Sequence, residues 1–199
     1  MLFIVLAEDG NCDFLSAPTS LFVIKRVYSI DDLLAEKNAD GYFNLLPDSY
    51  AANYTTIQKP IFINSVSHTL QEINALKNVI RINGWAGFLQ KDIWEIAGNF
   101  TTDVQVVLTA LKKNHILVPD VVGFVTARVI AMIINEAYFA LEDGVSTKKD
   151  IDTAMKLGTN YPYGPFEWAS IIGENNIYSL LNKLSLNDLR YLPAKTLQV

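Results

Sequence analysis

Apolar residues fall along the first 120 positions in short runs of the length strands fill: Leu2–Leu6, 21–28, 41–46, Ile61–Asn64, Val79–Ile82 and 116–118. Polar stretches with helical punctuation separate them. Ser29 followed by Asp31 and Asp32 opens a helix over 30–38, 65–76 is expected to form another, and Thr101, Thr102 and Asp103 cap one over 103–113. This is the rhythm of an α/β sheet. After Asp120 every segment carries helix signals instead. The run 123–141 stops at Gly144, Thr147 and Asp150 resemble a capping box for a helix running to Gly158, Pro165 suits the first turn of a helix over 166–172, and 176–184 is again periodic. The expectation is therefore an α/β domain over 1–120, with a mostly parallel sheet, and an all-helical domain over 121–199.

A helix that is apolar nearly all round, as 123–141 is, needs protein on every side. A domain of about 80 residues can hardly surround it alone, so the helical part is expected to form a homodimer. Composition narrows the rest. With 16 basic against 21 acidic residues and no basic run, the chain is not expected to bind nucleic acid or an anionic membrane. Arg128, Asn135 and Glu136 interrupt the most apolar segment, so no membrane span is expected and the protein is placed in the cytoplasm. The single Cys12 excludes an internal disulfide and reads as a small buried group, and His68 and His115 are too far apart in sequence to suggest a metal site. Trp85, Trp94 and Trp168 read as core.

The second half carries a resemblance. Asp120-Val121-Val122-Gly123-Phe124-Val125, Arg128, Asn135-Glu136-Ala137, Asp150-Ile151-Asp152 with Ala154-Met155 and Gly158, Pro162-Tyr163-Gly164-Pro165-Phe166-Glu167, and a tail with Asp188, Arg190-Tyr191 and Pro193 follow one another in order. Together they resemble the C-terminal domain of the 3-hydroxyacyl-CoA dehydrogenases, the 3-hydroxybutyryl-CoA type especially. The resemblance implies a Rossmann-type NAD domain upstream, a helical dimerisation domain downstream, a substrate cleft between them, and reversible hydride transfer between a 3-hydroxyacyl-CoA and NAD. It also implies a histidine base supported by a glutamate twelve residues later.

At those positions the chain departs from the family. Asn83 stands where the histidine is expected, while Glu95 remains twelve residues on. An amide cannot act as a general base near neutral pH, a function that contributes about 10²–10⁴-fold. Ala127, in Gly123-Phe124-Val125-Thr126-Ala127-Arg128, replaces an asparagine that in the family helps hold the substrate. Ser67 is the best match to a serine that contacts substrate; it is equally a candidate helix cap. Glu95 is either a remnant of the catalytic pair or a surface carboxylate, and His68 is a candidate replacement base or a structural residue. Before Gly41 the only glycine is Gly10, set behind Glu8 and Asp9, and the next strand holds Lys25 and Arg26. That pattern suggests a trimmed Rossmann-like domain without its phosphate loop, a shortened helix over 47–56, and poor NAD binding. Three functions stay open: a dehydrogenase homologue with little activity that retains acyl-CoA or partner binding, an enzyme using a non-standard base, and a structural subunit paired with an intact homologue.

Overall fold

Six apolar runs become strands, and a seventh strand forms where none was expected. In the computed structural model, which describes residues 1–8, 21–47 and 49–197, they are β1 (Leu2–Leu6), β2 (Val23–Val27), β3 (Gly41–Asn44), β4 (Ile61–Asn64), β5 (Val79–Ile82), β6 (Ile93–Gly98) and β7 (Asn114–Leu117). They make one sheet in the order β2-β1-β3-β4-β5-β6-β7, parallel throughout except for the antiparallel pairing of β5 with β6. The first five strands follow the order of a Rossmann sheet lacking its outermost strand beyond β2. The unexpected strand is β6, where Trp94-Glu95-Ile96-Ala97 is buried on both faces and so shows no alternation to read.

The chain divides into two compact units, Met1–Phe124 and Val125–Val199. In the first, Phe43, Phe62, Ile80, Ile82, Trp94 and Ile96 face helix α2 (Thr102–Ala110) through Val104, Val107 and Leu108. The other face gathers Ile4, Leu6, Ile61, Ile63 and Val79 with Leu33 of helix α1 (Ile30–Ala35). Ser29 and Thr101 cap these helices, as their side chains accept from Asp32 N and Val104 N.

Two expected helices do not form. The segment 65–76 makes a single turn, because Thr69 and Glu72 bond each other's backbone amides as a capping box while Asn74 already adopts φ 49°, the left-handed conformation that ends a helix. The segment 47–56 is reduced to the short turn Ser49–Ala51. Cys12 and Asp9-Gly10 lie outside the described residues.

The second unit contains α3 (Thr126–Glu142), α4 (Lys148–Thr159), α5 (Pro165–Ile172) and α6 (Glu174–Ser185). Helix α3 starts three residues later than expected, since Gly123 and Phe124 both have positive φ, 91° and 50°. Asn135 is buried on α3, where its Nδ2 donates to Leu192 O at 2.9 Å and its Oδ1 accepts from Ala194 N at 2.8 Å, pinning the tail. Asp152 of α4 accepts from Phe166 N at 2.8 Å and so caps α5. A Cβ on Gly164 would come within 2.3 Å of that carboxylate, which is why the position holds glycine. Among the described residues no helix is long and apolar enough to cross a membrane.

Candidate functional site

The sheet register brings Asn83 and Glu95 of the first unit onto one face. Ile63 pairs with Arg81, Arg81 with Ala97, and Glu95 with Ile116, so these side chains lie on the same side. Continuing the antiparallel register of β5 and β6 by one step past Ile82 and Ile96 sets Asn83 opposite Glu95. Asn83 is 6% exposed and Glu95 9%, so the carboxylate is inside and not on the surface. The Asn83 Oδ1 accepts from Trp85 N at 3.3 Å, which fixes the amide at the end of β5. Next to it, Gly84 leaves room for Asn64 at the end of β4, where an added Cβ would stand 2.5 Å from the Asn64 Cγ.

Ser67 follows β4 in the bend before the Thr69 turn and is half-buried; it does not cap a helix, since none forms there. His68 is also half-buried, its ring stacked on Tyr50 with centroids 3.8 Å apart. His115 stacks on Phe100 at 4.5 Å, and Trp85, Trp94 and Trp168 are buried. Ala127 belongs to the second unit and is fully buried.

One residue had no role in the sequence reading: Arg81. Its side chain is 0% exposed. Its Nη1 pairs with Asp120 Oδ1 at 2.5 Å, its Nε donates to Ser65 O at 2.9 Å, its Nη2 reaches Val66 O and Val121 O at 3.3 Å each, and the Phe124 ring lies 4.7 Å from its guanidinium. Burial pushes the guanidinium down from its ordinary value, against the hydrogen bond and charge of Asp120. The signal was legible as a charge inside the apolar strand Val79-Ile80-Arg81-Ile82, because a buried arginine requires a partner.

Residues 123–198 match the family model described as 3-hydroxyacyl-CoA dehydrogenase, C-terminal domain. The helical unit is a 3-hydroxyacyl-CoA dehydrogenase C-terminal domain. Over 88 residues the chain is 44% identical to the 3-hydroxyadipyl-CoA dehydrogenase of Escherichia coli strain K12, which covers 43% of this chain and 18% of that protein. Over 98 residues it is 37% identical to the probable 3-hydroxybutyryl-CoA dehydrogenase of Bacillus subtilis strain 168, covering 48% of this chain and 34% of the relative. The matches thus span well under two thirds of either relative. The solved (S)-3-hydroxybutyryl-CoA dehydrogenase of Ralstonia eutropha superposes with a TM-score of 0.65 at 25% identity, over 87% of this chain and 68% of that one. FadB2 of M. tuberculosis does so with a TM-score of 0.70 at 15% identity, a likeness of fold alone. The α/β unit is therefore Rossmann-like, and the helical unit is the dehydrogenase family's own.

Dehydrogenases of this family use NAD, whose diphosphate sits on open backbone donors at the ends of the first strands. The corresponding loop lies in 9–20, outside the described residues. At the described strand ends, Arg26 Nη2 donates to Ala7 O at 3.2 Å, and the Asn44 Nδ2 donates to Tyr54 Oη at 2.9 Å, while Tyr54 in turn donates to Ser49 O. At these two strand ends the polar side chains are thus hydrogen-bonded within the protein. Among the described residues no cluster of three metal-ligating side chains occurs.

Proposed function

We propose that this chain binds the coenzyme A thioesters of 3-oxo or 3-hydroxy acids through Asn83 and Glu95, with Ser67 from the bend after β4, without transferring hydride at the rate of an intact dehydrogenase. One observation carries the reading: the register sets an amide, not a base, beside the buried Glu95. Oxidation of a secondary alcohol needs a group that takes the hydroxyl proton as hydride leaves. The Asn83 amide can donate and accept hydrogen bonds but cannot take that proton. Glu95 keeps the place of a carboxylate that would have supported an imidazolium.

The test is isothermal titration of the purified protein with acetoacetyl-CoA, alone and with saturating NADH. Binding indifferent to NADH is expected. Binding strengthened by NADH would replace this reading with a working enzyme that uses another base, since coupling requires a shared site or equilibrium. Absence of acyl-CoA binding would overturn it. Asn83→His combined with Ala127→Asn is expected to restore no NADH oxidation, and turnover in that variant would show that these two positions were the only defect.

We further propose that the helical domain pairs with a second copy of itself. Supporting this, α3 keeps Val129 52% exposed and the residue before it, Val125, 58% exposed, on the side away from its buried Ala127, Ala131 and Ile134.

A further inference from the structure

The ion pair of Arg81 and Asp120 holds one short loop from both of its ends. On the leading side, the Arg81 Nε takes Ser65 O at 2.9 Å and its Nη2 takes Val66 O at 3.3 Å. On the trailing side, the Asp120 carboxylate accepts from Leu70 N at 3.0 Å and from Gln71 N at 3.2 Å. Between the two grips lie Ser67, His68 and Thr69, and the Ser65 Oγ donates to His68 O at 2.8 Å across the loop. Gly123 N adds a bond to Val66 O at 2.8 Å. Arg81 lies on β5, on the same sheet face as Asn83 two residues on, so the pair fixes the loop to the strand that carries the amide.

A buried guanidinium is an expensive way to hold a loop for stability alone, because apolar residues of similar volume would serve as well or better. What the fork supplies instead is direction, since its several N–H groups fix the loop backbone in one orientation. We propose that Arg81 and Asp120 are positioning residues that present Ser67 to the ligand, a proposal that rests on the acyl-CoA reading above. A loop held by two carbonyls and two amides keeps the Ser67 hydroxyl in one place before the ligand arrives, so little ordering is left for binding to do.

The test is a double-mutant cycle of Asp120→Asn and Ser67→Ala, read as acetoacetyl-CoA affinity. Asp120→Asn preserves shape and removes the charge that the loop amides and Arg81 share. If the pair acts through Ser67, Asp120→Asn weakens binding about tenfold with Ser67 present and less than about twofold once Ser67 is alanine. Equal losses in both backgrounds, or no loss, would overturn the proposal, as a general structural role predicts the former. Hydrogen exchange on the free protein gives a readout independent of ligand. The Leu70 and Gln71 amides are expected to lose protection in Asp120→Asn while β4 and β5 amides keep theirs, and unchanged protection at both would overturn the proposal. Should the unmutated chain bind no acetoacetyl-CoA, the acyl-CoA reading falls, and the exchange result alone decides whether the pair holds the loop.

Discussion

Single side chains in the first unit are limited by how little room their neighbours leave. Gly84 is the plainest case. Alanine there would drive a Cβ into the Asn64 side chain, which is itself buried and cannot swing away, so Gly84→Ala is expected to cost about 1–3 kcal/mol in urea denaturation. Tyr54 is limited by charge. Its hydroxyl, buried between Asn44 and Ser49, is held above its ordinary value of 10.0 chiefly by burial. The folded state therefore keeps a proton that the unfolded chain gives up near 10. That contribution is whole below about pH 10 and disappears as pH rises through the folded value. Tyr54→Phe is expected to flatten the alkaline fall in stability while lowering stability at neutral pH by about 1–3 kcal/mol, because Asn44 loses its acceptor and Ser49 O its donor. An equally steep alkaline fall in the variant would show that other groups set it.

At the scale of elements, local punctuation was legible and its extent was not. Thr101 and Ser29 cap helices as their sequence suggests, yet 65–76 has the same kind of opening and yields one turn. The difference lies at the far end, where Asn74 takes up the left-handed conformation. Asn74→Val is expected to destabilise by about 1–2 kcal/mol and Asn74→Gly to be tolerated, as thermal unfolding would report. Equal effects of the two would mean that the backbone there is not the determinant. Strand β6 was missed for a different reason: burial on both faces removes the alternation that marks a strand, and Glu95 in its middle looks like a surface position until β5 is laid beside it. Asn83 and Glu95 stand twelve residues apart, the spacing the family resemblance implies, whereas the Arg81–Asp120 pair joins positions 39 residues apart; a charge inside an apolar strand signals a partner without saying which.

For the molecule as a whole, the motifs of the helical unit were readable because each marks a constraint between elements and not within one. Asn135 pins the tail, and Gly164 makes way for Asp152. Self-association belongs to this scale. Sedimentation at micromolar concentration is expected to show a dimer, and Val129→Asp to shift it toward monomer; a dimer indifferent to that change would place the contact elsewhere. The cap that Asp152 gives α5 also sets an order of events. Helix α5 has 8 residues, too few to persist alone, and the side chain that accepts from its Phe166 amide belongs to α4, 14 positions earlier. Helix α5 is therefore not expected to mature ahead of α4, and its amides should gain protection no earlier than those of α4. The exchange rate of the Phe166 amide is the clock for that order.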